Sequence, residues 1–108
     1  MEKDVYSKAN GEIPYDKWVS RLRDNRAERK LDQALKKVSM GNFGNCTQIK
    51  SHHGLFEITV DYGPGLRIYC SKLDNDRFVV LNGGDKDSQQ KDIDKAAEYL
   101  EDYLKRGF

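Results

Sequence analysis

The chain has 108 residues, 34% charged and 37% hydrophobic, with a net charge of +1. That suffices for one small domain over residues 1–108 with a modest core, and is too little for two. No apolar run nears the roughly 18 residues of a transmembrane helix, and Met1-Glu2-Lys3-Asp4 lacks the basic-then-apolar order of a signal peptide, so a cytoplasmic protein without membrane contacts is expected.

Lys3 to Ala9 reads as a weak edge strand and Asn10-Gly11 as a turn. Pro14 suits a helix start, and Pro14 to Arg23 forms the first predicted helix, with Trp18 and Leu22 on its buried face. Asp24 or Asn25 caps a second helix. Its stripe is Ala27, Leu31, Leu35 and Val38, and Gly41 and Gly44 close it. Cys46 to Gly83 is strand-like, with turns near His53-Gly54, Gly63-Pro64-Gly65 and Asp74-Asn75-Asp76. Phe78 to Leu81 is apolar at every position, which predicts a central strand covered on both sides. Asp92 to Arg106 is the last helix, with Ile93, Ala96, Ala97, Leu100 and Leu104 on one side. The order predicts an α+β fold: a small antiparallel sheet of three to five strands, with two N-terminal helices and a C-terminal helix packed on one face.

Charge is uneven. Pro14 to Met40 holds eight Lys/Arg against four Asp/Glu, and Asp85 to Phe108 five against seven. A cationic helix region suits a nucleic-acid backbone, although a solvated helix face has the same composition. Cys46 and Cys70 are too few for a disulfide framework, and no Cys/His spacing suggests zinc, so neither metal nor cofactor is expected.

The hairpin around Gly63-Pro64-Gly65 gathers the candidate residues. Phe56, Ile58, Val60 and Tyr62 alternate with Glu57, Thr59 and Asp61; Leu66, Ile68 and Cys70 alternate with Arg67, Tyr69 and Ser71. Matching apolar faces sets Val60 opposite Ile68, Ile58 opposite Cys70, Thr59 opposite Tyr69 and Asp61 opposite Arg67. The polar face then carries Glu57, Thr59, Asp61, Arg67 and Tyr69. Arg67 is a permanently charged fork suited to phosphate, or one half of a salt bridge with Asp61. The Tyr69 phenol can donate a proton, stack on a base or simply pack. Lys86 follows Gly83-Gly84, glycines that leave room for a ligand; it is a cation for a phosphate or a plain turn residue. Gln89 is a helix-capping or a base-contacting amide. Glu57 can accept a proton or brace Arg67. His52 and His53, at a turn, are candidates for proton transfer and RNA contact, or ordinary exposed residues.

Gly63-Pro64-Gly65-x-Arg67-x-Tyr69, followed by Gly83-Gly84-Asp85-Lys86-x-Ser88-Gln89-x-x-Asp92-Ile93-x-x-Ala96, resembles the RelE/ParE superfamily of bacterial toxins, in particular its addiction-module killer subgroup. Pro14-Tyr15-x-x-Trp18, Asp24-x-x-Ala27 and Gly41-Asn42-Phe43-Gly44 are similar to that subgroup's pattern, in the same order. Thr59 stands where the subgroup usually has an arginine, and Leu66 and Cys70 where it usually has aromatics.

The resemblance implies the toxin of a type II toxin–antitoxin pair, a metal-independent endoribonuclease on messenger RNA at the ribosome. A 2′-hydroxyl attacks the adjacent phosphate and leaves a cyclic phosphate, with Arg67 and Lys86 as cations and Tyr69 as acid or stacking platform. The base stays open among Glu57, His52 and His53. The implied partner is a cognate antitoxin of helix-turn-helix type, covering the basic helices or the Arg67 face in assemblies up to a heterotetramer. Two other readings stay open: a ParE-like toxin that binds DNA gyrase and cleaves nothing, and a degenerate toxin retaining antitoxin binding, which Thr59 keeps in view.

Overall fold

The computed structural model describes residues 1–107; Phe108, the last residue of the expected domain, lies outside them. The elements are β1 (Glu2–Val5), α1 (Pro14–Leu22), α2 (Asn25–Ser39), β2 (Cys46–Gln48), β3 (Leu55–Val60), β4 (Leu66–Lys72), β5 (Arg77–Asp85) and α3 (Gln89–Lys105). One five-stranded sheet runs in the order β1-β5-β4-β3-β2. It is mixed, because β1 pairs with β5 in parallel while every other pair is antiparallel. The chain is therefore α+β, as expected, but the sheet is not purely antiparallel.

The helices also do not share one face. Ala27, Leu31, Leu35 and Val38 of α2 and Tyr15 of α1 form one core with Ile58, Ile68, Cys70, Phe78 and Val80. Ile93, Ala96 and Tyr103 of α3 form a second core with Leu55, Tyr69, Val79 and Leu81. Apolar alternation shows which residues share a strand face but not how many faces are covered. The reading of Phe78 to Leu81 holds: all four are fully buried, split between the two cores. On α3 the buried aromatic is Tyr103, whereas Leu104 is 58% exposed.

Capping explains the start of α2. Asp24 Oδ1 accepts the backbone N–H groups of Arg26 at 3.0 Å and Ala27 at 3.1 Å, satisfying donors the first turn leaves open. Tyr62 OH donates to Asp24 Oδ2 at 2.8 Å. Tyr62 belongs to the turn rather than the ladder, and the observed register differs from the expected one. Ile58 faces Ile68, Glu57 faces Tyr69, Thr59 faces Arg67 and Val60 faces Leu66. The slip is two residues, so every side chain keeps its face. Asp61 falls in the loop, exposed, and makes no pair with Arg67.

A bulge in β5 completes the frame. Tyr69 pairs with Asn82 and Cys70 with Val80, leaving Leu81 as the extra residue. Past the bulge, Asn82 and Gly84 turn toward α3 and Gly83 toward α1. A Cβ at Gly83 would lie 2.3 Å from Trp18 Cζ3, and one at Gly84 would lie 1.8 Å from Asp92 Oδ2. The two glycines thus admit an indole and a carboxylate; the space expected there for a ligand is filled.

Candidate functional site

Glu57 of β3 and Arg67 of β4 lie on the α3 side of the sheet, near the end closed by the 61–65 loop. Both are largely covered, with side-chain exposures of 12% and 16%. Arg67 Nε lies 2.7 Å from Glu57 Oε1, but its N–H is turned off that line, so the contact is an ion pair rather than a directed hydrogen bond. Gln89, the first residue of α3, donates Nε2 to the same oxygen at 2.9 Å, and Tyr69 OH approaches it at 3.5 Å. One carboxylate oxygen of β3 thus gathers an arginine and a phenol from β4 and an amide from α3.

Glu57 therefore braces Arg67, one of the two roles open to it. Gln89 neither caps its helix nor points outward; its amide is spent on Glu57. Tyr69 is fully buried, which leaves no ring face for stacking on a base. Burial, with Glu57 and Asp92 acting the same way, raises its hydroxyl above the usual tyrosine range and makes it a weaker acid.

What stays open is the end of Arg67. Its ion pair engages Nε, and Nη1 lies near the Gly65 turn, 3.6 Å from where a Cβ on Gly65 would sit. Lys86 follows Asp85, which pairs with Leu66 next to Arg67, so it projects from the same end of the sheet. It is exposed. The N-terminus of α3 opens there too, and the partial positive charge of a helix start adds to the two cations. His52 and His53 lie at the other end of β3, before Leu55. His52 Nε2 is 3.6 Å from Asp94 Oδ1, His53 is exposed, and neither belongs to the Glu57 cluster.

Two features escaped the sequence reading. Asp85 Oδ1 accepts the backbone N–H groups of Asp87 at 2.9 Å and Ser88 at 3.1 Å, so the chain turns early and α3 begins at Gln89 rather than Asp92. Ser88 Oγ donates to Asp92 Oδ2; burial lifts that carboxyl above its ordinary value, and Asp85 adds to the effect. The Asp-x-x-Ser spacing was the available signal. Asn82 is also buried, with Nδ2 donating to the backbone oxygen of Asp92 at 3.0 Å; nothing in the sequence placed it toward α3.

Among the described residues, no group of three or more His, Cys, Asp or Glu side chains is placed to hold a metal ion, and no helix is long and apolar enough to cross a membrane. Cys46 and Cys70 are free thiols.

No family model and no solved structure matches the chain. An "Uncharacterized protein" of Haemophilus influenzae (strain ATCC 51907 / DSM 11121 / KW20 / Rd) is 36% identical over 84 residues, covering 78% of this chain and 83% of that one. Identity of that degree across most of both lengths has one meaning: the chain belongs to the same family as this Haemophilus influenzae protein.

Proposed function

We propose that the chain is a RelE-like toxin of a type II toxin–antitoxin pair, an endoribonuclease that cuts messenger RNA at the ribosome. The observation that carries this is the Arg67 fork: Nε is paired with Glu57, and Nη1 lies at the Gly65 turn, at the end of the sheet from which Lys86 also projects. A braced guanidinium suits the charge that develops on a phosphate under attack. In the reaction a 2′-hydroxyl bonds to the adjacent phosphorus and loses its proton to a base. The bond to the 5′-oxygen breaks, that oxygen takes a proton, and a 2′,3′-cyclic phosphate remains. Arg67 and Lys86 supply positive charge. The helix-turn-helix antitoxin expected from the sequence resemblance would cover this end or the basic face of α2.

A second reading has its own support. Glu57 Oε1 is paired with Arg67 and bonded by Gln89, and Tyr69 is fully buried, so the phenol is shut away from a substrate and that carboxylate oxygen is occupied. That favours a toxin that binds its target, such as DNA gyrase, without cleavage. Induced expression in a bacterium followed by mapping of RNA ends separates the two. The ribonuclease reading expects rapid arrest of translation with new transcript ends that vanish in Arg67→Ala. A DNA-damage response with intact transcripts would overturn it.

A further inference from the structure

A groove of about 360 Å³ runs between α1 and α3. Gln89 in the first turn of α3 faces Glu57, whereas Asp92, a turn further on, borders this groove. Its sides carry four cations, Lys8, Lys17, Arg21 and Lys95, and two aromatics, Trp18 and Tyr99. Only two carboxylates, Glu12 and Asp92, line it. Glu12 is divided between Lys8 at 3.2 Å and Lys17 at 3.4 Å, and Lys95 reaches Glu98 at 3.5 Å. Arg21 is exposed and has no partner among the described residues, so its guanidinium is free for an anion.

The floor is Asn82 and Gly83. Asn82 is 6% exposed. Its Nδ2 donates to a backbone carbonyl, which can only accept, so the amide orientation is fixed and Oδ1 is the atom left over. Oδ1 has no hydrogen-bond partner. Oδ1 is itself covered, so the groove meets Asn82 only at its edge, and the cations and rings of the walls are what a ligand can touch.

We infer that this groove holds one nucleotide of single-stranded RNA, with its phosphate on Arg21 and Lys17 and its base against Trp18. Aromatic walls beside cations are how proteins hold single strands. An acidic peptide would use the cations but not the Trp18 ring, whereas a nucleotide uses both. The choice of RNA rests on the ribonuclease reading; the binding itself requires no cleavage.

Trp18 is the only tryptophan and lines this groove, so its emission responds to what binds there. The full chain is titrated with a nucleoside monophosphate, inorganic phosphate and a polyglutamate peptide. The expected result is saturable quenching by the mononucleotide, about tenfold weaker binding or worse in Arg21→Ala, and no change in Lys30→Ala, which removes the same charge from α2. Equal binding of inorganic phosphate would reduce the groove to a plain anion site. Response to polyglutamate alone would make it a peptide site, and absence of quenching, or unchanged affinity in a folded Arg21→Ala, would overturn the inference outright. Transcript mapping keeps the two claims apart: RNA cut in cells without quenching refutes the groove and leaves the Arg67 reading, while quenching without cut RNA does the reverse.

Discussion

Replacing Gly83 by alanine tests how α1 is seated on the sheet. The new Cβ would lie 2.3 Å from Trp18 Cζ3, 2.4 Å from Cε3 and 3.0 Å from the Arg67 backbone oxygen. Carbon atoms in contact sit about 3.5–4.0 Å apart, so the indole must retreat by more than about 1 Å. It cannot fold aside as a flexible chain would, and Gly83 is held in the ladder opposite Ile68. Gly83 has no positive φ, so alanine is refused by space alone. The cost should reach about 2–3 kcal/mol, the upper part of the range for overpacking, or roughly 10 °C in Tm for a domain of this size. Thermal unfolding followed by circular dichroism gives the stability, and Trp18 fluorescence gives the local event, a red shift as the indole is pushed toward solvent. Trp18→Ala removes the obstacle, so the double variant should be no less stable than Trp18→Ala alone. An alanine variant with unchanged Tm and unchanged emission would refute the packing.

Further outcomes follow from the Arg67 cluster and the buried phenols. Arg67→Ala should reduce RNA cleavage about a hundredfold in a chain that still folds, Arg67→Lys should recover little of it because the planar fork is lost, and Lys86→Ala should cost less, since its ammonium is a mobile point charge; cut transcripts in induced cells are the measure. A double-mutant cycle with Glu57→Gln and Arg67→Ala should give a coupling on the order of 1–3 kcal/mol in unfolding free energy, because the pair is largely covered; additivity within about 0.5 kcal/mol would show the pair to be energetically idle. The alkaline limb of the stability profile should fall early. Tyr103 is pushed up to about 12, chiefly by burial and then by its bond to Asp4, so the folded state keeps a proton that the unfolded state releases near pH 10. That contribution is complete below pH 10 and is lost between pH 10 and 12, and Tyr103→Phe should flatten this stretch of a denaturant-measured pH series.

Features that depend on neighbours along the chain are legible in the residues. Pro14 and Asp24 set the helix starts, because a fixed φ and a capping carboxylate act within one turn. Period-two alternation assigned Glu57, Arg67 and Tyr69 to one face, and a register slip of two residues left that assignment intact. What lies over that face depends on packing between distant elements. The sequence cannot show that α3 crosses to the side opposite α1 and α2, and that crossing puts the Tyr69 ring in a core and Gln89 on Glu57. Nor can it show the bulge at Leu81, because no residue there marks one. Yet that single extra residue sends Gly83 under Trp18 and Gly84 under Asp92, and it leaves Asn82 at the floor of a cationic groove. Alternation fixes faces within a strand; what covers each face is set by packing between elements distant in the chain.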